Sequence, residues 1–169
     1  IFSDIKADAR INTSQLRVDN DSVGLVNITA GYDAKTGNLP FTVVSDNKDY
    51  KIRANGFYNL TDSIQQPLYT NIELSDTRIN FVEQFLTGIF SEVDGKATGQ
   101  LSIQGNPTSP TLLGEVLVKN ATLKVDYTQV NYQLDSLRVK FLEDGIDFGK
   151  FTVVVDEMSV PYLEGSTLD

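Results

Sequence analysis

The stretch Leu101–Tyr127 reads LSIQGNPTSPTLLGEVLVKNATLKVDY, and it decides the fold class. Leu101 and Ile103 alternate with Ser102 and Gln104 before Gly105-Asn106-Pro107 turns the chain. Val116 and Val118 follow, with Glu115 and Lys119 on the other side. After Asn120, the residues Leu123, Val125 and Tyr127 share one face while Lys124 and Asp126 share the other. A period of two, broken by turn residues about every ten positions, is the signature of antiparallel sheet.

The rhythm continues downstream. Leu137, Val139 and Phe141 alternate with Arg138 and Lys140, and Glu143-Asp144-Gly145 is read as a tight hairpin turn with the positive φ that glycine permits. Ile146 and Phe148 then lead into Phe151, Val153 and Val155. Upstream, Leu16-Val18, Ile28-Ala30-Tyr32, Phe41-Val43, Tyr50-Ile52-Ala54 and Asn71 to Leu74 are candidate strands. Asp33 to Asn38 and Ser45 to Asp49 supply turns between them, and Pro67 follows a polar loop from Thr61 to Gln66.

One segment departs from this pattern. Val82, Phe85, Leu86, Ile89, Phe90 and Val93 fall at helical spacing. Asn80 and Glu83 are placed to form a capping box, and Gly95 stops the run. The spacing predicts an amphipathic helix over 80–93, weakened by about 1 kcal/mol at Gly88. The chain is thus expected to be mainly β: a first sheet region over 1–75, a helix within 78–94, and a second sheet region over 97–169. Starting at Ile1 without Met and stopping inside a strand-and-turn pattern, it reads as a single β-rich segment of a larger exported protein.

Composition narrows the chemistry. The net charge is −9, from 23 acids against 14 bases, and Lys and Arg are scattered singly. Nucleic-acid affinity is driven by neutralising phosphates with a basic surface, so that class of partner is not expected. Cys and His are absent, which removes thiol nucleophiles, Ser-His relays, CxxC redox pairs and the common zinc sites. No cofactor and no metal are expected. A two-carboxylate glycosidase is the one common enzyme class still open, but no pair of acids stands out from those on solvated faces and in turns. Asp19-Asn20-Asp21-Ser22-Val23-Gly24 resembles the start of a calcium loop, yet Val23 stands where an oxygen ligand belongs. Gly95-Lys96-Ala97-Thr98-Gly99 lacks the spacing of a phosphate loop. Four Asn-x-Thr/Ser triplets, at Asn12, Asn27, Asn59 and Asn120, are a loose pattern in a chain rich in Asn and Thr.

From Thr87 to Asp156 the chain resembles the C-terminal region of the TamB family, the AsmA-like translocation and assembly module proteins of Gram-negative envelopes. Gly95-Lys96-Ala97-Thr98-Gly99-Gln100-Leu101-Ser102-Ile103-Gln104-Gly105 is similar to that family's G-x-x-x-G-x-L-x-I-x-G strand. Pro110 to Val116 resembles its P-x-L-x-G-x-aliphatic step, and Asn120 to Val125 its N-A-x-aliphatic strand. Tyr132, the hairpin from Phe141 to Asp156 and the preceding helix suit the same order. Asp156-Glu157-Met158-Ser159 departs from the family's Asp-x-x-Gly.

The resemblance implies a long curved sheet folded like a taco, or half-open roll, apolar inside. It implies a parent anchored in the inner membrane, a periplasmic location and an Omp85-type outer-membrane barrel as partner. It also implies phospholipid transport between the membranes, or assembly and secretion of outer-membrane proteins, without catalysis. Leu101, Ile103, Val116, Val118, Leu123, Val125, Tyr127, Leu137, Val139, Phe141, Phe148, Phe151 and Val153 are then the expected groove lining for acyl chains. Phe85, Leu86 and Ile89 are expected either to plug that groove or to pack as ordinary core. The periodicity itself is equally that of a closed sandwich core. Two other functions stay open on the residues alone: a scaffold whose sheet edge binds a strand of a client or barrel, and a secreted carbohydrate-active β-sandwich.

Overall fold

The computed structural model describes residues 5–18, 21–61, 67–80, 83, 88, 90–150, 153–155, 158–159 and 167–168. It is mainly β, and every ladder for which pairing is resolved is antiparallel. The strands are β1 (Lys6–Val18), β2 (Asp21–Asp33), β3 (Asn38–Asp46), β4 (Lys51–Asn59), β5 (Leu68–Arg78), β6 (Phe90–Asn106) and β7 (Ser109–Val125). There follow β8 (Val130–Leu142), β9 (Gly145–Asp147), β10 (Val153–Val155), β11 (Met158–Ser159) and β12 (Thr167–Leu168). Hydrogen bonds join β1 through β8 in sequence order, then β10 and β11, while β9 pairs with β8 and β12. Among the described residues β1 pairs only with β2, and the sheet is not closed.

The chain forms two compact units, Ile1–Leu74 with Gln100–Leu113, and Ser75–Gly99 with Gly114–Asp169. In the first unit, turn chemistry sets the register. Asp33 pairs with Asn38 across a loop whose last residue, Gly37, takes φ 65°. Asp33 Oδ1 accepts the Lys35 N–H at 2.9 Å, an Asx turn that side chains of this length make readily. Asn47 Oδ1 accepts the N–H groups of Asp49 and Tyr50, and the buried Ser45 hydroxyl donates to the Tyr50 carbonyl. These bonds close the β3–β4 hairpin over the buried ring of Tyr50.

At Gly56 two strands approach unusually closely: a Cβ there would stand 2.1 Å from the Tyr69 carbonyl oxygen and 2.7 Å from Thr70 Cα. In the second unit Gly99 does the same against the Glu115 carbonyl, at 2.2 Å. Such glycines let backbones bend into contact that a side chain would block.

A line of irregularities crosses the strands of the second unit. Asp76 in β5 and Asn120 in β7 have φ near 50°, a left-handed conformation in which Asn and Asp are enriched. Ser75 and Asp76 are both exposed between buried Leu74 and Thr77. Lys119 and Asn120 are both exposed between buried Val118 and Ala121. On β8, Asp135 and Ser136 repeat the pattern next to buried Leu134. Each break shifts the inward set by one residue, and so keeps apolar residues inside where strict alternation would turn them out.

The helix expected over 80–93 is not seen among the described residues. Asn80 and Glu83 lie in 3₁₀ conformation, Gly88 takes φ 84°, and Phe90 to Val93 belong to β6. The Glu83 carboxylate, expected to cap the helix, accepts the Val93 N–H at 3.1 Å. Pairing of Phe90–Val93 into the sheet outweighs the weak helical propensity of a glycine-interrupted segment. Phe85, Leu86 and Ile89, the expected plug, lie outside the described residues.

The hairpin after β8 forms with Leu142 opposite Gly145 around Glu143-Asp144. Gly145 does not take the positive φ expected of it; the next glycine, Gly149, does (59°), beyond the end of β9.

Candidate functional site

An apolar sheet face is the feature most in need of a function, and the two units treat it differently. In the first unit, register places Ile11, Ile28 and Val43 in one row, then Ala9, Ala30, Phe41 and Gly56 in a neighbouring row of the same face. Ile52 and Ile72 extend that face on β4 and β5. Val26, Ser45 and Leu74 close one end of it and are buried. Ile28, Phe41, Val43, Ile52 and Ile72 are only half-buried, and Ile11 is exposed. Apolar residues arranged over five strands and left partly open to water form a surface suited to apolar ligands.

In the second unit the equivalent residues form a closed core. Val93, Ala97, Val116, Val118, Ala121, Leu134 and Val139 are all buried. Val116 pairs with Val139 and Val118 with Leu137, so the expected lining residues of β7 and β8 do come together. At 7% exposure, however, Val116, Val118 and Val139 offer a ligand almost no surface. Leu123, Val125, Leu137, Phe141 and Phe148 are half-buried at the periphery of this unit. Leu101 and Ile103, also half-buried, belong to the part of β6 in the first unit.

Tyr127 does not line a groove. β7 ends at Val125, and Tyr127 sits in the turn before β8, 96% exposed. The Gln129 N–H donates to the Val125 carbonyl at 2.8 Å, and Gln129 takes φ 57°, which closes the turn and swings Tyr127 out. Phe151 lies outside the described residues, as does the side chain of Val153, whose backbone pairs with Leu134.

The polar face of the second unit carries Glu115 between Arg138 and Lys140, and Glu92 near Lys124. Arg78 holds Asp94 through two bonds, Nε to Oδ1 at 2.9 Å and Nη2 to Oδ2 at 3.0 Å. This guanidinium is the main cause of an Asp94 pKa below the usual carboxylate value, helped by the Gly95 N–H. Asp33 is lowered too, chiefly by the Lys35 N–H. A general acid needs the opposite shift. No group of three or more potential metal ligands gathers among the described residues. No helix among them is long and apolar enough to cross a membrane.

No protein-family model, curated protein or solved structure matches this chain.

Proposed function

We propose that this chain is a periplasmic module of a TamB-like envelope protein, whose apolar sheet face carries phospholipid acyl chains between the inner and outer membranes. The observation that supports this reading is the half-exposed patch of Ile28, Phe41, Val43, Ile52 and Ile72 on one face of consecutive strands of the first unit. Each methylene removed from water stabilises by about 0.8 kcal/mol, so an exposed chain of about 16 carbons costs on the order of 13 kcal/mol. An apolar sheet face removes much of that cost and gives little net gain over the bilayer, so lipid slides along it without being trapped. The same surface serves unfolded outer-membrane proteins, which expose alternating apolar side chains, and so fits a role in their assembly and secretion.

Native mass spectrometry of the protein purified from an envelope fraction tests the proposal. Co-purified phospholipid is expected, with occupancy reduced severalfold by Phe41→Ser. A lipid-free protein that also fails to take up phospholipid from vesicles contradicts it.

A second reading is favoured by the free edge of β1, which has no strand beyond it among the described residues. There the backbone can add a strand from an Omp85-type barrel or a client. Site-specific crosslinks from exposed Asn12 or Ser14 to a barrel protein support that reading, and their absence in an assembled envelope opposes it.

A further inference from the structure

On the opposite, polar face of the first unit lies a depression of about 680 Å³, within the size range of small-ligand sites. Two adjacent rows of the sheet build it. Asp8 pairs with Gly31, Pro40 with Phe57, and Phe57 with Tyr69; an added Cβ on Gly31 would lie 3.9 Å from Pro40 Cγ, which links the two halves of that row. The second row runs Arg10, Thr29, Thr42 and Asn55. These residues line the depression together with Ala9, Ala30, Phe41 and Gly56 of the row between them.

The residue types explain the shape. Gly31 has no side chain to fill the middle, and Thr29 and Thr42 are short. Arg10 and Asp8 form one wall from β1, and Phe57 and Tyr69 form the other from β4 and β5. The two rings, 39% and 37% exposed, sit with centroids 5.9 Å apart at 31°. Asp8, Arg10, Thr29, Thr42 and Asn55 make no side-chain hydrogen bond or ion pair among the described residues. Their donors and acceptors are available to a ligand.

We propose that this depression binds a neutral oligosaccharide. Sugars combine apolar C–H faces, which pack on exposed aromatic rings, with hydroxyls that need donors and acceptors together. Asn55 and the two threonines supply both. Asp8 accepts O–H groups and Arg10 donates to hydroxyl oxygens, a pairing suited to vicinal diols. An anionic headgroup fits less well, because the Asp8 carboxylate offsets Arg10 within the same cleft. Its polar side chains have the opposite parity to the apolar row, so the proposal does not rest on acyl-chain binding.

The test is NMR titration of the whole chain with maltohexaose, cellohexaose and chitohexaose. At least one is expected to give saturable shifts centred on Phe57 and Tyr69. Tyr69→Ala, at an exposed ring, is expected to weaken binding about tenfold. Gly31→Val is expected to abolish it by filling the cleft, while Tyr127→Ala, at an exposed ring of the second unit, leaves it unchanged. No saturable response from any probe overturns the proposal. So does binding that survives both Tyr69→Ala and Gly31→Val, or a site that takes glycerol phosphate in preference to all three sugars.

Discussion

Replacing Gly56 with alanine is predicted to destabilise the chain, although alanine adds only a methyl group. In the unfolded state alanine has fewer conformations than glycine, which by itself favours folding by about 0.4–1 kcal/mol at a compatible site. Position 56 is not compatible. The new Cβ would lie 2.1 Å from the Tyr69 carbonyl oxygen, 2.7 Å from Thr70 Cα and 2.9 Å from Thr70 Oγ1. The first two are backbone atoms of the neighbouring strand, so relief requires β4 and β5 to part by roughly 1 Å. Overpacking of this kind costs about 1–3 kcal/mol, and each ladder hydrogen bond lost nearby adds about 1 kcal/mol.

A net loss of about 2–3 kcal/mol follows, measured as a lower urea midpoint with an unchanged slope. Gly31→Ala is the matched control. Its Cβ would press only on the Asp8 carboxylate, at 3.1 Å, the exposed end of an edge-strand side chain, with Pro40 Cγ at an ordinary 3.9 Å. That side chain swings away, and the substitution is expected to be neutral or slightly stabilising. If Gly56→Ala proves as stable as the parent, the close crossing of β4 and β5 is refuted.

Three further outcomes follow from the packing and charge. Leu134→Ala, at a buried position of the second unit, should cost about 2–4 kcal/mol in chemical denaturation, whereas Tyr127→Ala should change stability by less than about 0.5 kcal/mol. Asn120→Ala should cost about 1 kcal/mol because φ there is 50°, and Asn120→Gly should recover that loss in the same assay. Asp94→Asn should remove at most about 1 kcal/mol at neutral pH, since both partners are partly exposed. Because the folded-state pKa of Asp94 is lowered, its contribution is present above the unfolded value of about 4 and lost as pH falls through the folded one. Denaturation curves of the variant and parent should therefore converge in acid.

The β6–β8 region was the most legible part of the chain. There, apolar and polar residues alternate except at the Lys119-Asn120 and Asp135-Ser136 breaks, and Asn106-Pro107 and Glu143-Asp144 mark turns that the structure has. β1 was legible only at its end, because Ala7 and Ala9 are too small, and Asn12 too polar, to signal a strand. The helix expected over 80–93 rested on real helical spacing. Periodicity does not register that Gly88 is left-handed or that Phe90–Val93 gain sheet partners. Tyr127 kept the parity of Leu123 and Val125, but one left-handed residue in the following turn ended the pattern.

The candidate surfaces were harder to read than the strands. Val116, Val118 and Val139 carry the same signature whether they face a ligand or one another; their burial distinguishes the two. The half-exposed face of the first unit was visible as separate strands around Ile28, Phe41 and Ile52, without a sign that it stays partly open. The polar depression depends on the register of β1 through β5, which brings Asp8 and Tyr69 to one row from 61 positions apart in the chain. Local sequence holds no trace of that row.

Phe41 and Thr42 are neighbours in β3 whose side chains point to opposite faces of the sheet, and they offer the most direct test of the central proposal. A photoreactive side chain placed at each in turn, irradiated with the protein in its native envelope, reports which face meets lipid. Crosslinking to phospholipid from position 41 and not from position 42 is the predicted result. Equal labelling at both positions, or none at position 41, contradicts an acyl-chain surface on the apolar face.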